Sequence, residues 1–424
     1  MRFNNLNGKV RFFLLDLFGR SHIKNVLAIL EKEQYLPYDM LTQISRSKLN
    51  HLFEIARKSV PFYSNSTNYD ELPSLNKETV RKELNNFVSS IYTNSIFEKN
   101  TSGSTGKPLT YYVTSNTRSY LWAFIIMSWD VAGYKIGDRV AFVAGSALLN
   151  LKSSLKHFIF YKLLNIDAYS AFTLGEKDIE KYLYKLTNRE TKIIYGYASA
   201  LDIMATYINS HNPNYKCESL KGIICTSEML TDPMRENIKK AFKVDVFNQY
   251  GCNEGGVSSF ECEYHRLHLI NTRCYYEIDG NGQLLATDLS NEGFILLKYE
   301  TGDLVEMSEN KTCACGRNFP IIKNVIGRSR DIVTDNKNNS LHASFFHYLL
   351  SNEKSITQFQ VLYNREAISL YLNVDSNKKN NEFYEKYMNE IKKHLSFNKY
   401  NLYINSPFLT SSNAKHRHII KTDI

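Results

Sequence analysis

Leu220-Lys-Gly-Ile-Ile-Cys-Thr-Ser-Glu228, Asp232-Pro-Met-Arg-Glu-Asn-Ile-Lys-Lys-Ala-Phe242 and Val244-Asp-Val-Phe-Asn248 are the stretch from which the fold is read. The first piece is an apolar run that ends in small polar residues, as a buried strand does. The second carries Met234, Ile238 and Phe242 on one face at helical spacing. Asp232 reads as its N-cap and Pro233 as its first helical residue, where a missing N–H costs nothing. The third piece is again a strand. Strand, helix, strand implies parallel strands joined by a helical crossover, hence an α/β fold. Ligands of such folds bind at the carboxyl ends of the strands. That places Thr226-Ser-Glu228 and Gln249-Tyr-Gly251 at a candidate site.

The same alternation extends outward. Val140-Ala-Phe-Val143 and Lys192-Ile-Ile-Tyr195 read as strands, and Asp178 to Leu186 as a helix with Ile179, Leu183 and Leu186 on one face. A further helix carries Leu201, Met204, Ala205 and Ile208. Residues 1–95 read as mainly helical, with an apolar face of Leu49, Leu52, Phe53, Ile55 and Ala56 that ends before Pro61. From about residue 270 the pattern turns to β. Asp279-Gly-Asn-Gly282 is a hairpin turn between Tyr275–Ile278 and Gln283–Ala286, and Phe294 to Tyr299 reads as a further strand. Beyond residue 328 a small α+β piece follows, with strands Gln358–Leu362 and Ile368–Leu372, a polar loop Asp375–Asn381 and a helix Phe383–Leu395. The expected division is a helical part over 1–95, an α/β and β part over 96–327, and a small C-terminal domain over 328–424.

Composition excludes several classes. The chain has 424 residues, 43% of them apolar and 22% charged, too apolar for a disordered protein and long enough for a large core. The net charge of +9 is spread along the chain without a basic, aromatic-interleaved module, so no nucleic acid partner is expected. Seven cysteines in a chain this long do not make a secreted disulfide framework. Near the N-terminus, Arg2, Lys9 and Arg11 flank Phe12-Phe-Leu-Leu15, but Asp16 and Arg20 cut the apolar run short of a signal sequence or a membrane span. An amphipathic helix packed on the body is expected there, with contact to a membrane surface as the alternative. A cytoplasmic protein without stable membrane insertion is the expectation; oligomeric state is not legible.

Thr101-Ser-Gly-Ser-Thr-Gly-Lys-Pro108 is a hydroxyl- and glycine-rich loop between the polar Phe97–Asn100 and the β-prone Leu109–Val113. Glycine lets backbone N–H groups approach phosphate oxygens, and Lys107 adds a positive charge. It is not the G-x-x-x-x-G-K-[ST] loop, because no Ser or Thr follows the lysine. A second cluster is Cys262 with His265 and His268, then Cys313-Ala-Cys315. Three cysteines and one histidine complete a tetrahedral zinc shell, and four protein ligands make such a site structural. The offset from Cys262 favours His268, with His265 as the alternative.

Taken in order, these segments resemble the adenylate-forming superfamily of acyl-CoA synthetases and adenylation domains. Within it they look most like the phenylacetate–CoA ligase branch, including members encoded with capsular and other surface-polysaccharide genes. The resemblance runs from about Leu49 to Ile420. It implies the adenylate-forming fold: a large domain of mixed and parallel sheets with helices and a β subdomain, then a small mobile α+β domain. It makes Thr101, Ser102, Gly103, Ser104, Thr105, Gly106 and Lys107 the phosphate loop. Cys225-Thr-Ser-Glu228, with Ser227 and Glu228, falls where family members contact adenine. Asn248-Gln-Tyr-Gly-Cys-Asn-Glu254 resembles the motif whose tyrosine, here Tyr250 before Gly251, lies near adenine and whose glutamate, here Glu254, coordinates Mg²⁺. A hard cation on phosphates needs such a carboxylate.

Asp303, in Tyr299-Glu-Thr-Gly-Asp303, would follow a strand and accept both ribose hydroxyls, with Arg328 of Ile326-Gly-Arg-Ser-Arg-Asp331 beside it. The hinge position is Arg330, where the family usually has Asp or Lys. Ser411-Ser-Asn-Ala-Lys-His-Arg-His418 makes Lys415 the adenylation lysine, with Ala414 in place of the usual glycine. Tyr195, Gly196 and Tyr197 are expected in the acyl pocket. The branch also contains members with cysteine and histidine at similar places to the zinc cluster. The implied activity is ATP-dependent formation of an acyl-adenylate, then transfer to coenzyme A or an amine such as an amino sugar. Two rivals remain: a non-catalytic nucleotide-binding protein of the same fold, and a zinc hydrolase built on the Cys/His cluster, against which a closed ligand shell argues.

Overall fold

The computed structural model describes residues 6–19, 21–92, 95–101, 109–145, 155–171, 174–328, 332–337, 339–342, 345–346, 349–350, 353, 355–374, 381–409 and 418–422. Helices α1 (Leu6–Gly19), α2 (Ile23–Glu33), α3 (Tyr38–Ser59) and α4 (Lys77–Lys82) lead the chain. A hairpin of β1 (Ile96–Asn100) and β2 (Thr110–Thr114) follows, then α5 (Ser115–Val131). The α/β part is β3 (Val140–Ala144), α6 (Leu155–Leu163), β4 (Ile166–Ser170), α7 (Glu176–Asn188), β5 (Ile193–Tyr197), α8 (Ala198–His211), β6 (Gly222–Thr226), α9 (Asp232–Phe242) and β7 (Asp245–Cys252). Antiparallel strands β8 (Val257–Glu261), β9 (Leu267–Leu269), β10 (Cys274–Ile278), β11 (Gln283–Asp288), β12 (Tyr299–Met307) and β13 (Ile321–Arg328) come next. The C-terminal piece has β14 (Ile332–Thr334), β15 (Ser340–His342), β16 (Ile356–Tyr363), β17 (Ala367–Val374), α10 (Asn381–His394), β18 (Lys399–Ile404) and β19 (Ile419–Lys421).

One sheet of 11 strands carries the site, in the order β10-β11-β12-β13-β9-β8-β7-β6-β5-β3-β4. From β7 to β4 the pairs are parallel, with a helix between each two strands that are consecutive in the chain, and β3, β5 and β6 are buried on both faces as helix-covered strands must be. At β7 the sheet changes character, because β8 returns antiparallel through a tight turn. The carboxyl ends of β5, β6 and β7 and the antiparallel strands therefore meet along one seam.

Three apolar clusters hold these parts. The first joins Phe12, Leu15 and α2 to α5 and the parallel strands. The second packs α3 and the segment Val60–Phe87 against β10, β11 and β12. The third lies wholly within residues 333–419, where β16 and β17 face α10. Among the described residues no helix is long and apolar enough to cross a membrane.

Three local expectations are corrected. The N-cap of α9 is Thr231, whose side chain accepts from Met234 N at 3.4 Å, and Asp232 lies one residue inside. There its charge still favours the positive end of the helix dipole. The run Phe294–Lys298 is not a strand: only Phe294 and Tyr299 make isolated bridges, to Val88 and Leu75, and Lys298 has φ +51. Its amides bond instead to the N-terminal part, Ile295 N to Phe87 O at 3.1 Å and Leu297 N to Tyr63 Oη at 3.0 Å. Asp303 does not follow a strand but lies inside β12, where Gly302 at φ +77 breaks the regular ladder before Asp303 pairs with Arg328.

Asp202 on α8 is buried, and Asn237 Nδ2 donates to its Oδ1 at 2.7 Å. Burial pushes its carboxyl up from 3.8 to about 6, with the Asn237 bond opposing. Between those values the native chain holds a proton that the unfolded chain has lost, so stability rises as pH falls through 6. Above 6 the ion's full cost is present. Asp202→Asn keeps the acceptor and removes the charge. It is expected to stabilise by about 1–3 kcal/mol near pH 8 and by almost nothing near pH 4. Thermal unfolding of both chains at the two pH values checks this; an equal difference at both contradicts it.

Candidate functional site

Tyr250, near the end of β7, points its hydroxyl at Asp303 on β12 and donates to Oδ2 at 2.9 Å. Burial first, then the Asp303 charge, lift the Tyr250 phenol well above its usual pKa, so it stays a donor. Asp303 is further set by its own amide, which donates to Thr301 Oγ1 at 3.1 Å, and Thr301 Oγ1 donates to Leu284 O at 2.8 Å. Backbone register puts Arg328 opposite Asp303.

Glu254 lies in the turn between β7 and β8. Its carboxylate and that of Asp303 both act on the buried Cys252 thiol, which desolvation and these two charges hold protonated. Glu254 also acts on the Tyr111 hydroxyl in β2. The two carboxylates therefore share one neighbourhood beside the hairpin that carries the glycine-rich loop. Gly256 makes the turn possible. It sits at φ +73, and a Cβ there would lie 2.5 Å from Asp288 Cγ. Asp288 is itself fixed, because its Oδ1 accepts from Ser290 N at 2.9 Å and Ser290 Oγ at 2.5 Å.

At the neck of that loop, Thr101 N donates to Leu109 O at 2.9 Å and Leu109 N donates to Thr101 Oγ1 at 2.9 Å. Residues 101 and 109 thus close the loop at its base on the β1–β2 ladder. Ser102, Gly103, Ser104, Thr105, Gly106 and Lys107 lie outside the described residues, as do Arg330, Ala414 and Lys415.

After β6, Ser227 adopts φ +66 and the chain turns. Glu228 Oε2 then accepts from Ser199 N at 2.9 Å, placing a carboxylate at the positive end of α8. Gly196 pairs with Cys225 and Tyr197 with Thr226 across β5 and β6. Tyr195 and Tyr197 are buried. Tyr195 packs its ring on Trp129 and Phe142 and donates from Oη to Gln249 Oε1 at 2.5 Å. The same oxygen accepts from Thr226 Oγ1 at 3.1 Å, and Gln249 Nε2 donates to Ser128 Oγ at 2.8 Å. Gly196 has a packing reason: a Cβ would lie 2.4 Å from Val143 O.

Sequence reasoning missed Ser128 and the buried role of Gln249, which lies within the quoted Tyr250 segment but carries no signal of burial. It also missed Lys77, whose Nζ lies 3.5 Å from Thr101 Oγ1. Lys77 opens α4 behind an Asn76 cap, and nothing in that pattern points across to residue 101.

The Cys/His residues form a second centre. The ligand atoms of Cys262, His268, Cys313 and Cys315 all lie within 4.8 Å of one another. Cys262 Sγ and Cys313 Sγ are 3.7 Å apart, and Cys315 Sγ and His268 Nε2 are 3.4 Å apart. Tetrahedral zinc with its usual bond lengths has S···S edges of about 3.8 Å and S···N edges of about 3.5 Å. His268 Nδ1 meets Phe319 O at 3.1 Å, which leaves Nε2 for the cluster. Burial pushes the Cys262 thiol up to about 12 and the His268 imidazole down to about 4. A neutral imidazole is the form that ligates. His265 is elsewhere, stacked on Phe247 with Nδ1 at 3.3 Å from Glu261 and 3.2 Å from Arg235.

No protein-family model matches the chain. It is 25% identical over 373 residues to Protein CapK of Staphylococcus aureus, covering 83% of this chain and 82% of that protein. It is 27% identical over 165 residues to the phenylacetate-coenzyme A ligase of Thermus thermophilus, covering 35% of this chain and 37% of that one. A crystal structure of 2-hydroxyisobutyryl-CoA ligase in its postadenylation state, with an acyl-AMP bound, superposes with a TM-score of 0.70 at 16% identity over 92% of both chains. At that identity the likeness is one of fold.

Proposed function

We propose, on the premise that this chain is an adenylate-forming ligase similar to the phenylacetate–CoA ligases, that it activates a small carboxylic acid with ATP and passes the acyl group to coenzyme A. The carboxylate oxygen attacks the α-phosphorus, and pyrophosphate leaves. The acceptor's thiol then attacks the acyl carbon, and AMP leaves. Both steps depend on positioning and on charge neutralisation.

Asp303 would accept the ribose hydroxyls, held in place by the Tyr250 hydroxyl and with Arg328 alongside. Ser227, Glu228, Tyr250 and Gly251 would frame the base at the strand ends. The loop 101–107 would cradle the β- and γ-phosphates through N–H groups, hydroxyls and Lys107. Glu254 would give a carboxylate to Mg²⁺ on those phosphates. Lys415 would neutralise the reacting oxygens, with the domain after residue 328 moving about Arg330. Tyr195, Gly196 and Tyr197 would back the acyl pocket. Cys262, His268, Cys313 and Cys315 would hold zinc as a purely structural ion, since four protein ligands leave no open position. The observation that carries this reading is the convergence of Tyr250, Asp303 and Glu254 around one buried thiol beside the loop hairpin.

A screen of carboxylic acids for ATP-dependent pyrophosphate release, repeated with coenzyme A and with amino sugars, tests it. Release with some acid, accelerated by coenzyme A, is expected. Acceleration by an amine alone would move the acceptor to that class, in line with the resemblance to surface-polysaccharide proteins. ATP binding with no release for any acid would favour the non-catalytic reading. Lys415→Ala is expected to slow adenylate formation by about 10²–10³-fold while sparing attack on a supplied acyl-adenylate. Pyrophosphate exchange into ATP at the parental rate contradicts that role.

A further inference from the structure

Helix α1 is apolar on two opposite faces. Gly8, Phe12 and Leu15 turn inward, where Phe12 and Leu15 are buried and a Cβ on Gly8 would lie 2.3 Å from Ile136 O. Val10, Phe13 and Leu17, at helical spacing on the other side, are 49%, 66% and 61% exposed. A helix of a soluble domain ordinarily keeps its apolar residues on the one stripe that faces the core, so a second apolar face calls for a cover. Here a phenylalanine and a leucine stand in water, and α6, which packs against α1, exposes Ile159 to 39%.

Charge indicates what covers this face. Residues 1–20 contain four bases (Arg2, Lys9, Arg11 and Arg20) and one acid, Asp16. That acid is turned to the start of α2: its Oδ1 accepts from Ile23 N at 2.7 Å and Ser21 Oγ at 2.9 Å, and its Oδ2 from Lys24 N at 3.1 Å. Helix α6 carries Lys156 and Lys162 and no acid. The whole chain is far more balanced, with 52 bases to 43 acids. An exposed apolar stripe on a segment whose sequence is this basic is the signature of a helix lying in the headgroup layer of an anionic bilayer.

We propose that α1 docks this protein on anionic lipid membranes as a peripheral anchor, with Val10, Phe13 and Leu17 entering the boundary between headgroups and acyl chains. The helix is too short and too charged to span, so the attachment is reversible and salt-sensitive. This inference is independent of the reaction assigned above.

The test is co-sedimentation of the full chain with vesicles of phosphatidylcholine, with and without phosphatidylglycerol. Binding is expected only with phosphatidylglycerol, weakening as salt rises. The exposed pair Phe13→Asp, Leu17→Asp is expected to lower it by at least about tenfold. The variant's thermal unfolding should match the parent, because neither side chain is buried. Absence of binding overturns the proposal, as does equal binding to pure phosphatidylcholine. A parent that runs as a dimer, is split by the same substitutions and ignores vesicles would assign the face to a second copy and overturn it too.

Discussion

Asp303→Ala is expected to weaken ATP binding and adenylate formation together by about 10²–10⁴-fold, with the fold retained. A carboxylate that accepts both ribose hydroxyls makes two charge-assisted hydrogen bonds, each contributing about 1.5–3 kcal/mol. The side chain is only part-buried and anchors no core cluster, so its truncation removes recognition more than stability. The loss has a second component. Tyr250 Oη now bonds to Asp303 Oδ2 at 2.9 Å, and the truncated chain would leave that phenol without its acceptor beside the base. Tyr250→Phe should therefore show a smaller effect in the same direction, about tenfold. Nucleotide titration by calorimetry, read with pyrophosphate release, separates the two. Parental affinity in Asp303→Ala would remove this residue from the site.

The second large effect concerns the Cys/His cluster. Purified protein is expected to contain about one zinc per chain, and its removal to lower the unfolding temperature by about 5–10 °C. The reason is where the four arms come from. Cys262 directly follows β8, His268 is in β9, and Cys313 and Cys315 come from the loop between β12 and β13. That loop is fastened in turn to the end of α2: Arg317 Nε donates to Gln34 Oε1 at 2.9 Å, Asn318 N to Gln34 O at 2.8 Å and Asn318 Nδ2 to Leu36 O at 3.0 Å. An ion here would clip the N-terminal helices to the antiparallel sheet. Cys313→Ser should lose the metal and show the same thermal shift. Below the new transition, activity should survive, because the shell has no position for a reacting water. A metal-free protein whose melting ignores chelators would contradict this, and loss of activity without loss of stability would point to a catalytic ion.

Much of this was legible because it is local. The unit from Leu220 to Asn248 has a strand period, then a helix period with proline at its start, then a strand period. Its α/β meaning survives in β6, α9 and β7. The hairpin at Asp279–Gly282 is equally local, with Asp279 Oδ1 accepting from Asn281 N and Gln283 N at 2.8 Å. What was misread depends on partners far along the chain. The run Phe294–Tyr299 has the composition of a strand, yet its amides find Phe87 and Tyr63. Asp303 looks like a turn residue after Gly302, and only the β12–β13 ladder keeps it within a strand.

The site divides in the same way. Motif order brought Tyr250, Glu254 and Asp303 into one hypothesis, but the hydrogen bond across 53 positions needed the sheet. The choice of His268 over His265 rested on an offset; its physical cause is β9, which pairs His268 with Ile321 near the Cys313–Cys315 loop. The polar knot of Ser128, Tyr195, Thr226 and Gln249 is only partly legible: three of its members fall in segments singled out from the sequence, but Ser128 does not, and the bonds that join the four need the assembled elements.

The most direct test of carboxylate activation follows oxygen. With an acid selected by pyrophosphate release and labelled with ¹⁸O in its carboxylate, one labelled oxygen should appear in the AMP released on acyl transfer, because that oxygen bridged to the α-phosphorus. Label in inorganic phosphate with ADP as product, or AMP free of label, would contradict the acyl-adenylate and the account built on it.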